Sequence, residues 1–321
     1  MRDKSLESNE LIEDIRIDTE QINQYMKKWK YSYQKEQGYV YGCMLYPGIY
    51  IWKNDFHIHR IPNEKMDSYP YMKMNYCVQG RCEFSLENNR YAYLEPGMIS
   101  IDRNQPEGMF ISPNGRYEGL EIILNIDILK KHIPDMFSDC GIDILKMYEE
   151  LQKDGGSYLA GVSEEWQEKA EFLSLQLGGE EGSIEEYRFE TLQLLYLLFH
   201  GHTKMLAQVC YLTKGQKTIA MEIEAKLLGD LKEKYTVGML AKEYGVSPSS
   251  IEKYFAGVYG TSIAKYIREK RMDYAAQLLL NTNLGIADIA AKVGYCNQGK
   301  FGTVFKEHAG ATPLEYRRLL H

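Results

Sequence analysis

A single pattern occurs twice in the last third of the chain, and few folds can hold it. In its first copy Val237, Leu240 and Ala241 precede Gly245, then Ser247 and Pro248, then Ile251, Tyr254 and Phe255. In its second copy Ile286, Ile289 and Ala290 precede Gly294, then Asn297, then Phe301, Val304 and Phe305. Steps of three and four place each apolar set on one face of a helix. The alanine is small enough for a second helix to cross close above it. The glycine suits the left-handed turn that ends a helix. Serine or asparagine then caps the next helix, and Pro248 fits its first turn. The chain is therefore expected to contain two short helical pairs, each bent at a glycine.

From Ser262 to Asn281 an apolar face made by Ile263, Tyr266, Ile267, Met272, Ala275, Leu278 and Leu279 predicts one longer helix between the pairs. Such a rod can hold two short helices about one duplex turn apart, roughly 34 Å, on one side of DNA. The second helix of a helix-turn-helix pair fits the major groove. On the first such helix the outward candidates are Ser249, Ser250, Glu252 and Lys253, with Glu252 either accepting from a cytosine amine or facing solvent. On the second they are Gln298, Lys300, Thr303 and Lys306. A glutamine can read adenine and a lysine can reach guanine or phosphate. Arg317 and Arg318, beyond Thr312-Pro313, are candidate backbone contacts. Arg271 is either basic surface or a structural residue pinned by an acidic neighbour.

The run IADIAAKVGYCNQGKFGTVFKEHAGATPLEYRR carries a pattern of I..IA..VGY, F...FK...G and TP..YR. On these residues the last hundred or so positions resemble the DNA-binding domain of the AraC/XylS family of bacterial transcription regulators. The resemblance implies base-reading helices at about 249–256 and 298–306, contact with RNA polymerase, and action at a promoter. Family members often carry basic residues where this chain has Ala256 and Gly257, and Ser and Arg where it has Gly302 and Thr303. The stretch FAGVYGTSIAKYIREKRM is more loosely similar to regulators that sense iron-chelating siderophores.

At 321 residues the chain exceeds one such domain. Its net charge of −7 is unevenly placed. From Lys217 onward there are 15 Lys and Arg against 11 Asp and Glu, and before it 23 against 34. Only the C-terminal part is electrostatically suited to approach DNA, and by a thin margin. The six cysteines, at 43, 77, 82, 140, 210 and 296, form no CxxC pair and read as reduced thiols rather than a Cys77–Cys82 redox sensor. The polar start of the chain shows no secretion signal, and LQLLYLLF is too short to span a bilayer, so a cytoplasmic location is expected.

Residues 1–35 are polar, and Ile15, Ile22, Met26 and Trp29 predict an amphipathic helix there. From 36 to 127 the period drops to two, with turns at Gln79-Gly80, Asn88-Asn89, Pro96-Gly97 and Asn114-Gly115, which predicts a small β-sandwich or barrel. The strand order and the Pro96-Gly97 corner are similar to the cupin-like sensor domain of the same family. The implied fold class is α+β: an N-terminal cupin-like barrel with flanking helices, then an all-α double helix-turn-helix domain at 215–321. A barrel of this size can enclose a small effector. Candidate lining residues are Tyr50, Trp52, Met74, Tyr76, Cys77, Phe84 and Met109, and the period leaves open which parity faces in. His57, His59 and Glu64 have metal-ligand spacing. No histidine follows Pro96-Gly97 to complete a set, so neither metal, other cofactor nor enzyme activity is expected. Residues 128–214 return to helical period, with candidate helices including ILKKHIPDMF, IDILKMYEELQK and one from Ile184 to about Ala207. In the family, helices placed there often form a homodimer interface. A purely intramolecular bundle is the alternative. Three functional readings are weighed here: effector-controlled regulator, ligand-independent DNA-binding protein with the barrel as dimerisation scaffold, and, least favoured by the incomplete ligand set, a metal-dependent cupin enzyme.

Overall fold

The computed structural model describes residues 15–33, 35–62, 70–86, 90–103, 109–153, 157–179, 182–201, 203–204 and 211–319. The chain divides into two compact units: Met1–Asn88 with Ala92–Cys210, and Asn89–Tyr91 with Tyr211–His321.

The first unit is built on β1 (Ile15–Gln21), β2 (Met26–Tyr33), β3 (Glu36–Tyr46), β4 (Ile49–His57), β6 (Tyr71–Gly80), β9 (Met98–Asp102), β11 (Tyr117–Asn125), β12 (Ser157–Val162) and β13 (Thr203–Lys204). These form one sheet in the order β1, β2, β3, β4, β11, β6, β9, β12, β13, with every neighbouring pair antiparallel. Short strands β5 (Arg60–Pro62) and β10 (Met109–Ile111) pair with each other, and β7 (Cys82–Leu86) lies beside β8 (Arg90–Leu94). Alternation sorts the large sheet's side chains onto two faces. One face, with Ile49, Ile51, Met72, Met74, Ile122 and Leu124, shares a core with residues of five helices. These are α1 (Ile126–Leu129), α2 (Asp135–Asp139), α3 (Ile144–Lys153), α4 (Glu164–Gln176) and α5 (Ile184–Phe199). Trp166 anchors that layer: it is buried, and its indole N–H donates to the Leu194 carbonyl at 3.0 Å. The other face, with Val40, Phe56, Cys77, Met98 and Tyr117, clusters with Ile61 of β5 and Cys82 of β7.

Three local expectations fail here. Residues 15–33 form a β-hairpin, not a helix, and residues 1–14 lie outside the described part. Asn23 explains the turn: its side-chain oxygen accepts from the backbone N–H of Tyr25 and of Met26, each at 2.9 Å, an arrangement that competes with helix. ILKKHIPDMF splits into α1 and α2 at Pro134, which has no N–H to continue a helix. The helix from Ile184 stops at Phe199, where His200 caps it and Gly201 turns to φ 85°. Strand β12, SYLAGV, lies between helical stretches and was not expected.

The second unit holds α6 (Lys214–Gly229), α7 (Val237–Tyr244), α8 (Pro248–Tyr259), α9 (Ile263–Asn281), α10 (Ile286–Lys292), α11 (Gln298–Ala309) and α12 (Pro313–Leu319). Arg90 and Tyr91 also belong to it, opposite Thr213 and Leu212 of the short strand β14 (Leu212–Thr213). Among the described residues no helix is long and apolar enough to cross a membrane.

Candidate nucleic-acid interface

Both expected turns are present. In the first, α7 ends at Gly245, which adopts φ 66° while its N–H bonds to the Ala241 carbonyl. Ser247 then caps α8, its hydroxyl accepting from Ser250 N–H at 3.1 Å, with Pro248 in the first turn. In the second, α10 is followed by Gly294 at φ 82°, and Asn297 caps α11 by accepting from Lys300 N–H at 2.9 Å. From the caps onward the copies keep one register. Ser247 and Asn297, Ile251 and Phe301, Phe255 and Phe305, and Gly260 and Gly310 occupy equivalent places. The second turn has one more residue, because Tyr295 and Cys296 stand where the first has only Val246.

The buried sides fix each reading helix. Ile251, Phe255, Val258 and Tyr259 bury one face of α8, and Phe255 stacks near Tyr259 and Tyr266. Phe301 and Phe305 of α11 pack with Met272, Ala275, Leu279, Ile289, Ala290 and Val293. The rod α9 also ties the motifs by polar contacts. The Arg271 guanidinium donates to the carbonyls of Leu231 (2.7 Å) and Glu233 (2.9 Å), just before the first motif. The same guanidinium lies about 3 Å from where a Cβ at Gly294 would sit, beside the second turn. The neighbours that pin Arg271 are thus carbonyls, not an acid. Tyr266 on α9 donates to Glu224 of α6 at 2.7 Å; burial above all, and then that carboxylate, hold its phenol far above the ordinary range.

The opposite faces are open. Ser249, Lys253, Gln298, Lys300, Thr303, Lys306 and Arg318 are exposed, and Ser250 is half-buried. Ser249 and Ser250 hydroxyls hydrogen-bond with Ser247 at 2.9 and 2.8 Å. Thr303 donates to the Gly299 carbonyl of its own helix at 3.2 Å. Two candidates are corrected. Glu252 turns back to accept from Ile263 N–H at 3.4 Å, satisfying the start of α9, so its carboxylate is engaged inside the fold. Arg317 is half-buried and donates to the Leu284 carbonyl at 2.7 Å, a tether to the loop before α10. Gly302 takes the place in α11 that Glu252 holds in α8, and there the next helix is capped instead by Thr312 with Glu315. The two threonine bonds, first from its hydroxyl and then from its N–H, hold the Glu315 carboxyl below its usual range.

In the first unit the effector-lining candidates divide. Tyr50 and Trp52 are half-buried on one face of β4, and Trp52 lies 5.8 Å from Trp29. Cys77 is on the same side of the sheet, fully buried, with burial first and Cys82 second pushing its thiol far up. Met74 and Tyr76 face the other way: the Tyr76 ring meets Trp166 at 4.9 Å, so both are core beneath the helices. Phe84 and Met109 are half-buried on β7 and β10. The polar residues that alternate with Met72, Met74 and Tyr76, namely Lys73 and Asn75, share the Trp52 side and were not among the candidates, because period alone does not say which parity faces in. The histidine pair is also separated. His59 engages Glu36, while His57 contacts Arg116 at 3.1 Å, and Glu64 lies outside the described residues. Among the described residues no three His, Cys, Asp or Glu side chains are grouped to hold a metal.

Two capped helices, each presented outward by a glycine-turned partner and joined by one rod, define a double helix-turn-helix unit of the DNA-binding class. Residues 240–319 match a family model described as a helix-turn-helix domain. The chain is 31% identical over 138 residues to the virulence regulon transcriptional activator VirF of Yersinia enterocolitica, covering 42% of this chain and 48% of that protein. It is 31% identical over 105 residues to the transcriptional activator AarP of Providencia stuartii, covering 33% of this chain and 78% of that protein. A solved AraC-type regulator of Chromobacterium violaceum is 28% identical, covering 33% of this chain and 91% of that one, with a TM-score of 0.29. The chain belongs to the AraC family of helix-turn-helix transcription regulators. It spans about half the length of the Yersinia relative.

Proposed function

We propose that the protein is a one-component transcription activator: a homodimer whose C-terminal unit binds promoter DNA through α8 and α11 and whose N-terminal unit senses a small effector. It acts there with RNA polymerase. The single observation that carries the reading is the pair of equivalent, capped, outward-facing helices with Lys253 on one and Lys300 and Lys306 on the other. Each copy addresses one of two successive major-groove segments. No catalytic role is part of this reading. Support for self-association comes from α4 and α5, where Phe172, Leu175, Phe189 and Tyr196 are 51%, 74%, 62% and 44% exposed. Large apolar side chains left exposed on these two helices favour a partner surface, and a second copy supplies one of the same kind.

The test is selection of bound DNA from a random pool, with and without cell extract or a ferric siderophore. The expected product is a two-part site with segments about one helical turn apart. Lys300→Ala should cost about 1–3 kcal/mol on the selected site and relax preference at one position, whereas Arg318→Ala should weaken all sequences alike. Binding with no sequence preference, or none at low salt, would reject the reading. A selected site that never responds to any small molecule would leave the ligand-independent regulator.

A further inference from the structure

The two reading helices share a frame and differ in what they carry. Aligned from their caps, the copies pair Pro248 with Gln298, Ser250 with Lys300, Glu252 with Gly302, Lys253 with Thr303 and Ala256 with Lys306. A recognition helix meets base edges chiefly with its N-terminal residues. In α11 the first turn carries Gln298 and Lys300. Both are exposed, and among the described residues neither side chain has a hydrogen-bond or ion-pair partner. A glutamine amide matches the donor and acceptor of adenine, and a lysine ammonium matches the two acceptors of guanine.

The first turn of α8 holds no group of that kind. Pro248 has no polar side-chain atom. Ser249 and Ser250 share hydroxyl bonds with the Ser247 cap. A hydroxyl can donate or accept, so it suits every base and selects none strongly. Glu252, which could have selected cytosine, bonds to the start of α9. Lys253 remains, one turn further along, where α11 has Thr303 bonded to its own backbone. Burial shortens α8 further. Gly257, Val258 and Tyr259 are buried, whereas Glu307 and His308, which match the first two of these in α11, are exposed. The open polar stretch of α8 therefore ends at Lys253, and that of α11 continues past Lys306.

We infer that the sequence information in each chain's DNA site is divided unevenly between the two helices. Under α11, Gln298 selects an adenine and Lys300 a guanine. Under α8, Lys253 selects a single guanine, and the rest of that segment is held without discrimination. The two segments are then not copies of one another, although the helices that bind them are. The inference rests on the DNA-binding reading above and names the kind of operator it takes.

Selection from a random DNA pool by the full chain tests it, with cell extract in one arm so that an effector-dependent site is also recovered. The selection is repeated with Lys253→Ala, Gln298→Ala and Lys300→Ala, each checked for folding by circular dichroism. In the parent, a wrong base at the adenine or the guanine under α11 should cost about fivefold or more, as expected for a matched side chain. Gln298→Ala should abolish the adenine preference and Lys300→Ala the guanine preference, both within one segment. Lys253→Ala should flatten one position in the other. Ser250→Lys gives α8 the group that α11 has at the same place, and should add a guanine preference of about fivefold to the α8 segment. Two segments of matching sequence, or a larger share of discrimination in the segment that Lys253→Ala flattens, overturns the inference and leaves the DNA-binding reading intact. So does a uniform loss of affinity in Gln298→Ala and Lys300→Ala with every preference kept. A pool that yields no preferred sequence in either arm rejects the DNA-binding reading, and the inference falls with it.

Discussion

Asp102 lies opposite Lys73 on the polar face of the sheet, and burial pushes its carboxyl up to about 6, with Lys73, Ser157 and Ser100 pulling the other way and Glu121 adding to the rise. Burial opposes the charge of Lys73 too, but Glu121 and Asp102 outweigh it and hold the ammonium up to about 12. The sign for Asp102 is that of a raised acid. Between the ordinary carboxyl value and about 6 the folded chain binds more protons than the unfolded one, so this group's contribution falls as pH rises through that window. Asp102→Asn removes the titration. Relative to the parent, the variant should gain about 2–3 kcal/mol between pH 4 and pH 7.5, an upper value for a shift of this size. Urea midpoints of both proteins at the two pH values measure it, and an unchanged difference would refute the assignment. Gly302 makes a second residue-scale case. A Cβ added there meets nothing within 4 Å, so the fold itself has no need for glycine in the middle of α11. Gly302→Ala should raise stability by about 1 kcal/mol. If α11 enters a groove as proposed, the same change should not improve DNA binding, which thermal melting and mobility shift on one preparation can compare.

At the scale of elements, the helical pairs were readable because each was specified several times over. The apolar stripe, the turn glycine and the cap all pointed to one arrangement, and Gly245, Ser247, Gly294 and Asn297 sit where that arrangement needs them. The N-terminal hairpin was not readable in this way. Ile15, Ile22, Met26 and Trp29 satisfy a helical spacing, and only the bonds that the Asn23 side chain accepts and the pairing of β2 with β3 decide for strand. The polar face of the sheet was hidden for another reason. In YMKMNYC the alternation is plain, but a second layer buries the side that Lys73 and Asn75 occupy, and period alone cannot reveal that layer. Side-chain direction was equally invisible for Glu252 and Arg317, whose partners lie 11 and 33 positions away. Arg271 ties α9 to the segment before the first motif and lies beside the turn of the second. Arg271→Leu keeps an apolar stem but leaves the Leu231 and Glu233 carbonyls without their donor. It should destabilise the C-terminal unit by about 3 kcal/mol, since a hydrogen bond from a charged group contributes about 1.5–3 kcal/mol. Arg271→Lys should recover only part, because one ammonium does not reproduce the planar fork. Denaturant unfolding followed by a signal from this unit would measure both, and a full recovery with lysine would show that charge alone suffices.

For the whole molecule, the sparse positive charge of the reading helices sets the terms of DNA binding. Lys253, Lys300 and Lys306 are the exposed cations of α8 and α11, with Arg318 beyond them, and Arg317 is committed to Leu284. One chain therefore displaces few counterions, and each phosphate contact adds only about −0.9 to the slope of log K against log salt. On the proposed reading, a second chain on the same site supplies the remaining affinity. Joining them makes the second binding event intramolecular and can add about a hundredfold or more without any new contact. If α4 and α5 form that junction, placing charge on their open apolar face must separate the chains while leaving each fold intact, because Phe172 and Phe189 are mostly exposed. The Phe172→Glu, Phe189→Glu double variant should sediment as a monomer and melt within about 0.5 kcal/mol of an uncoupled parent chain, the range for surface changes. On a two-copy site its affinity should fall about a hundredfold, and its salt slope should be half the parent's, since each monomer then binds alone. A monomer that keeps the parent's slope would mean that one chain already makes all the phosphate contacts. A double variant that stays dimeric would move the junction to another surface.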